Sequence, residues 1–153
     1  MQARQFCSAD AAAIATLFRD TIRRINRKDY SEEQVRAWAP DEIDVATWAE
    51  KLANRYSVVV ESDGIIVGFG DIEADGHLDH LYVHADHLGC GIGRMLLAAL
   101  EAEARQRGIA RLFTEASITA RAFFAHYGFA LIAEQVVVCR GVEFVNFRMD
   151  KQL

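Results

Sequence analysis

The run His87-Leu88-Gly89-Cys90-Gly91-Ile92-Gly93-Arg94 constrains this chain more than any other segment. Before it, His77 to His84 alternates like a strand. After it, apolar residues recur at helical spacing from about Gly91 to Arg107, and Gly108 supplies a residue free to adopt positive φ at the helix end. A strand therefore runs through a glycine-rich loop straight into a helix. The first turn of that helix carries unpaired N–H groups and the positive end of the macrodipole. Glycines let the backbone approach a ligand with no Cβ in the way. Together they form a cradle for an anion such as a phosphate, with Arg94 adding charge. The same residues also fit a tight strand-to-helix turn that needs glycine only for its geometry.

Spacing excludes two phosphate-binding patterns. The dinucleotide fingerprint GxGxxG would need a third glycine at Leu96, counting from Gly91, or at Arg94, counting from Gly89. The P-loop needs Lys and Ser or Thr after its last glycine, where this chain has Arg94-Met95.

The rest of the chain reads as one α/β domain over residues 1–153, in the order βααα-βββ-α-β-α-ββ, a mixed and mostly antiparallel sheet flanked by helices. Gln2 to Cys7 is a first strand. Asp10 opens a helix to about Arg24, with Ile14, Leu17, Phe18, Thr21, Ile22 and Ile25 at helical spacing. Ser31-Glu32-Glu33-Gln34 is a capping box, and Pro40 ends the helix it starts. Asp44 caps a third helix bearing Trp48 and Leu52. Tyr56–Glu61 and Ile65–Glu73 form a hairpin around Ser62-Asp63-Gly64, and Asp75-Gly76 turns into His77–His84. Arg111–Glu115 is a strand, Thr119–Tyr127 a helix ended by Gly128, and Phe129–Cys139 with Val142–Asp150 a closing hairpin.

Hydrophobic residues make up 52% and charged residues 25% of the chain, a balance that supports a packed core rather than disorder. The formal net charge of -5 argues against a nucleic-acid surface, which needs clustered Lys and Arg. No apolar run approaches the ~20 residues of a membrane span. The three cysteines, Cys7, Cys90 and Cys139, show no disulfide or metal spacing. With no apolar core of a signal peptide near Met1, the expected location is cytoplasmic. His77, His80, His84 and His87 lie along a strand and its exit loop without a ligand spacing, so no metal is expected.

The segment Leu81 to Leu97 resembles the acetyl-CoA signature of the GCN5-related N-acetyltransferases (GNAT family): a strand ending in hydrophobic-x-Val, then Arg/Gln-x-x-Gly-x-Gly/Ala. Ser117 to Phe129 is similar to that family's second signature, Asn-x-x-Ala-x-x-x-Tyr-x-x-x-Gly-Phe. The strand order is also theirs, and the resemblance covers essentially the whole chain. Tyr30–Ala39, Ser117–Phe129 and Val138–Gly141 with Asn146-Phe147 look closest to the YafP-like branch. The resemblance implies a GNAT-type acyl-CoA N-acyltransferase fold, with acetyl-CoA as co-substrate and an amine of a small molecule or peptide as acceptor. It places pantetheine and the acetyl carbonyl along Leu81, Tyr82 and Val83. The pyrophosphate falls on the amides of Gly89, Cys90, Gly91, Ile92, Gly93 and Arg94, with further coenzyme-binding positions at Leu88, Ser117 and Phe124. Three positions depart from the pattern. Leu88 stands for the usual Arg or Gln, Ser117 for Asn, and Phe124 for the tyrosine that serves as general acid.

Acetylating an amine needs a base for its proton, donors for the oxyanion and an acid for the leaving thiolate. His77 and Asp79 alternate with Leu81 onto one face of a regular strand, and match positions where several family members carry a base or its relay. A buried Asp79 would have a raised pKa. Tyr127, three residues after Phe124, is the substitute acid, or else a packing residue. Tyr30, Trp38 and Trp48, with Glu42 and Asp44, lie in the helices expected to hold a cationic acceptor. Two other readings stay open: a non-catalytic acetyl-CoA sensor, motivated by Phe124, and transfer from another acyl-CoA. The closing hairpin is where two copies would pair as a homodimer.

Overall fold

The computed structural model describes residues 1–153. Strands β1 (Gln2–Gln5), β2 (Tyr56–Ser62), β3 (Ile65–Ile72) and β4 (Leu78–Val83) form one antiparallel sheet in that order. Strands β5 (Arg111–Ala116), β6 (Ala130–Cys139) and β7 (Val142–Gln152) form a second, in the order β5-β7-β6. Helices α1 (Ala11–Arg24) and α3 (Val45–Ala53) cover one face of the first sheet, α2 (Glu32–Trp38) packs against α1 and β7, and α4 (Ile92–Gln106) covers the other face. Helix α5 (Arg121–His126) joins β5 to β6. The expected α/β architecture is present. What spacing did not reveal is that the sheet is split in two, joined by a single parallel bridge between His77 and Phe113.

Local chemistry fixes most element ends. The Ser31 hydroxyl accepts from the Gln34 N–H at 3.1 Å, and the Gln34 side-chain oxygen accepts from the Ser31 N–H at 2.8 Å. Asp44 accepts from the Thr47 N–H and opens α3. Asp10 behaves differently from the expected cap of α1. Its carboxylate accepts from the Cys7 N–H at 2.9 Å and pairs with Arg4, so it closes a 3-10 turn that ends the first strand early.

Strand β3 is buried on both faces, which explains its run of apolar residues. Ile92, Leu96, Leu97 and Leu100 of α4 pack on one side, each burial contributing roughly 1.5–3 kcal/mol. Phe18, Ile22 and Leu52 lie in the core on the other. Gly68 sits directly under the start of α4, where a Cβ would come within 2.6 Å of Ile92 Cγ2. The missing side chain lets the helix N-terminus settle against the sheet beside β4.

Strand β4 carries a bulge. Asp71 pairs with His80 and Ile72 with Leu78, so Asp79 has no partner opposite. The expected alternation of His77, Asp79 and Leu81 is broken there. Leu78, Leu81 and Val83 join the core on the α4 side, whereas His80 and Tyr82 contact the ring of Phe18 on α1.

Gly76 holds the two sheets together. It sits at φ +95°, its carbonyl accepts from the Phe113 N–H at 3.1 Å, and a Cβ would lie 2.1 Å from the Arg111 carbonyl oxygen. Gly76→Ala is therefore expected to destabilise by more than ~3 kcal/mol. Gly64 also has positive φ but open space around it, so Gly64→Ala should cost about 1–2 kcal/mol. Urea unfolding of the two variants side by side checks this contrast.

Candidate active site

Beyond the Gly76–Phe113 link, β4 and β5 diverge. The Thr114 hydroxyl donates to the Leu78 carbonyl at 2.8 Å, the last tie between them. From there a cavity of about 1110 Å³ opens, lined on one side by Asp79 to Val83 and on the other by Glu115 to Ser117. On the β3 side, the His84 N–H donates to Val67 at 2.8 Å, and Gly68 and Gly70 lie opposite Val83 and Leu81. Antiparallel alternation then turns the Tyr82 N–H toward β3 and leaves the Leu81 and Val83 N–H groups facing the opening. Thr21 of α1 caps the Val83 carbonyl at 2.9 Å.

The glycine loop forms the far end of this cavity. Gly91 is the N-cap residue of α4, left-handed at φ 81°, and α4 has no side-chain cap. None of the six N–H groups from Gly89 to Arg94 donates to another group in the protein. That is a full row of unpaired donors at a helix start, as an anion cradle requires. The Phe123 ring packs against Gly93, so α5 braces the loop.

Most residues expected to touch a cofactor line this cavity: Leu81, Tyr82, Val83, Leu88, Gly89, Gly91, Ile92, Gly93, Arg94, Ser117 and Phe124. Cys90 does not, because it is exposed on the outside of the loop. The Ser117 hydroxyl accepts from the Ala120 N–H at 3.0 Å and so helps start α5. Phe124 packs on Phe129 in the core. Tyr127 lines the cavity and lies against Phe123, with its hydroxyl making no hydrogen bond to the protein.

The two expected bases sit in ion pairs. His77 does not line the cavity; Nε2 lies 2.8 Å from Glu115, and Nδ1 contacts Glu73. Its hydrogen bond to Glu115, opposed by burial and reinforced by Glu73, raises its pKa to about 9. It is therefore protonated at neutral pH. Asp79 lines the cavity, but Arg55 Nη1 holds it at 2.5 Å. Burial opposes its ionisation, yet His80 whenever its ring is protonated, together with the Arg55 guanidinium, outweighs that and holds its carboxyl below the ordinary value, contrary to the expected upward shift. Arg55 also reaches Asp71 at 2.7 Å and Glu73 at 3.3 Å. Asp71, Asp79 and His80 place ligand-type atoms within 4.8 Å of one another, and the Arg55 guanidinium already bridges the two carboxylates.

Spacing missed three residues at this site. His80 is 9% exposed and lines the cavity, bonded through Nδ1 to the fully buried Asp71. Asn26 is 5% exposed and lines the cavity, with no hydrogen bond from its side chain to the protein. His87 lines it with a buried, unpartnered Nδ1. Nothing in their spacing marks them, because their neighbours come from other elements. Tyr30, Trp38, Trp48, Glu42 and Asp44 do line the cavity. The Tyr30 hydroxyl, however, is committed to structure: it accepts from the Ile118 N–H and donates to the Val145 carbonyl, both at 2.9 Å.

A family model of the acetyltransferase (GNAT) domain matches residues 26–151, most of the chain and all of this site except the α1 wall of Phe18, Thr21 and Ile25. The chain belongs to the GNAT acetyltransferase family. It is 32% identical over 149 residues to the N-acetyltransferase YafP of Escherichia coli (strain K12), covering 97% of this chain and 94% of YafP. A GCN5-related N-acetyltransferase from Rhodopseudomonas palustris superimposes with a TM-score of 0.95 at 36% identity, over 99% of this chain and 95% of that one. PaiA N-acetyltransferase from Thermoplasma acidophilum, solved in complex with coenzyme A, shares the fold at a TM-score of 0.81 and 18% identity, over 99% of this chain and 98% of its own. The GNAT family and fold expected from the two signatures are thus present, and the chain is an N-acetyltransferase.

His77 gives this GNAT domain a measurable pH signature. A histidine whose folded pKa is raised to about 9 from an ordinary 6.5 binds more protons folded than unfolded between those values. Its stabilisation is complete below the unfolded pKa and is lost as pH rises through the folded one. The unfolding free energy should therefore fall between these pH values, with a smaller fall in His77→Gln. Urea titrations of both proteins across that window measure the difference.

Proposed function

We infer that this enzyme transfers the acetyl group of acetyl-CoA to an amine by direct attack in a ternary complex. The observation that carries this reading is the continuous set of free backbone donors, Gly89 to Arg94, at one end of a cleft whose wall presents the Leu81 and Val83 N–H groups. A diphosphate accepts from the first set, and Arg94 adds charge beside it. The pantetheine arm extends along Leu81 to Val83 as an added strand would. A β4 N–H in this stretch faces the thioester oxygen and stabilises the oxyanion as the amine attacks. The relatives solved with coenzyme A or acetyl-CoA share this fold and support the choice of ligand.

Tyr127 is the group in this reading that protonates the departing thiolate, since its hydroxyl has no protein partner and it faces the same cleft. Phe124, at the family's tyrosine position, contributes packing alone. The acceptor enters from the side of α1 to α3, between Trp38, Trp48 and Phe144, where Glu42 brings a carboxylate suited to a cationic amine. The homodimer reading rests on β6, a sheet edge that leaves Val136 and Val138 60% and 67% exposed.

Calorimetry should show acetyl-CoA binding to the wild type, weakened about tenfold in Gly91→Ala, whose Cβ strains the left-handed cap. Unchanged affinity in the variant, or no binding to the wild type, would remove the cradle assignment. Tyr127→Phe should lower kcat for thiol release by roughly 10- to 100-fold while leaving acetyl-CoA affinity intact. That lies at or below the usual range for general acids because a thiolate leaves easily.

A further inference from the structure

Neither expected base is free: His77 is an imidazolium between two carboxylates, and Asp79 is held by Arg55. We propose that the buried pair His80–Asp71 supplies the base, with His80 Nε2 accepting the proton of the acceptor amine and Asp71 as its positioning residue. This rests on the amine-acetylation reading above.

The geometry fixes the roles. Asp71 is fully buried on β3, and its Oδ2 accepts from Arg55 at 2.7 Å, which leaves Oδ1 to face His80. Its Oδ1 accepts from both the backbone N–H and the Nδ1–H of His80, each at 2.9 Å. Two bonds to one oxygen lock the ring and place the neutral imidazole's proton on Nδ1, which leaves the lone pair on Nε2. Nε2 has no hydrogen-bond partner in the protein, and the ring lines the cavity among Phe18, Trp48 and Tyr82. The bulge at Asp79 is what turns His80 to this side. Leu81, the next residue, offers an N–H to the opening, so base and oxyanion donor are consecutive on β4.

The charged and titratable groups around His80 are Asp71 from β3, Asp79 from β4 with Oδ2 at 3.7 Å from Nδ1, and Arg55 ahead of β2. Tyr82 joins them from β4, and Lys51 of α3 lies over the Trp48 ring. Helix α1 contributes only the Phe18 ring.

In the step, the amine nitrogen forms a bond to the thioester carbon and gives its proton to Nε2. The C–S bond then breaks with its electron pair on sulfur. The thiolate takes one proton from Tyr127, which recovers one from solvent, and His80 returns its proton to solvent. The products are an acetamide and free coenzyme A.

Thiol release would be followed with benzylamine, tryptamine, spermidine and a lysine-bearing peptide. His80→Ala should lower kcat about 100-fold or more with acetyl-CoA affinity unchanged by calorimetry, and added imidazole should restore turnover. Asp71→Asn should lower kcat without imidazole rescue and move the acid limb of kcat/KM to lower pH. Wild-type kcat in His80→Ala would overturn the proposal. If that variant does not fold, long-range proton–nitrogen NMR of the wild type at its optimal pH decides: a proton on Nδ1 with Nε2 bare supports the pair, and a proton on Nε2 overturns it. A wild type that binds acetyl-CoA but acetylates none of the amines counts against the acceptor reading, and the same NMR measurement still decides the dyad.

Discussion

The structure depends on one strand, β4, being paired along only one of its edges. A buried backbone donor without a partner costs roughly 1–3 kcal/mol, so proteins seldom leave one inside. Here Leu81 and Val83 turn such donors into a cleft, and six more stand at the start of α4. The arrangement persists because the surroundings hold the cleft open. Gly76 and Thr114 pin β4 to β5 at one end. Helix α4 is seated over Gly68, and the Tyr30 hydroxyl ties the helical layer to the second sheet through Ile118 and Val145. A ligand with matching acceptors then replaces water along a wall whose cost the fold has already met.

Charge in the cleft is organised around Arg55. One guanidinium faces three carboxylates, Asp71, Asp79 and Glu73, and His77 in turn joins Glu73 to Glu115. His77, with carboxylates at both ring nitrogens, carries a charge and serves as a strut. His80, bonded at one nitrogen only, keeps the other open to the cavity. Two histidines three residues apart thus differ in how many ring nitrogens are bonded, because different groups lie beside them.

Much of the fold was legible in the chain. The capping box at Ser31, the Asp44 cap, the hairpin at Asp63-Gly64 and the glycine loop are local, and local chemistry fixed them. The family signatures lie in short contiguous segments for the same reason. The split between the sheets was not legible, since Gly76–Phe113 pairs residues far apart in sequence. The bulge at Asp79 was not either, because a strand's period does not announce an extra residue. That one insertion undid the expected sharing of a face by His77, Asp79 and Leu81.

By itself, the sequence determined the order of the main elements, the free backbone donors at the start of α4 and the family, because such donors at a helix start need only glycine, a strand before and a helix after. Only the tertiary structure decided which side chains carry charge and which face the cleft. Those properties belong to pairs such as Arg55 with Asp79 and Asp71 with His80, whose partners meet only when separate elements pack.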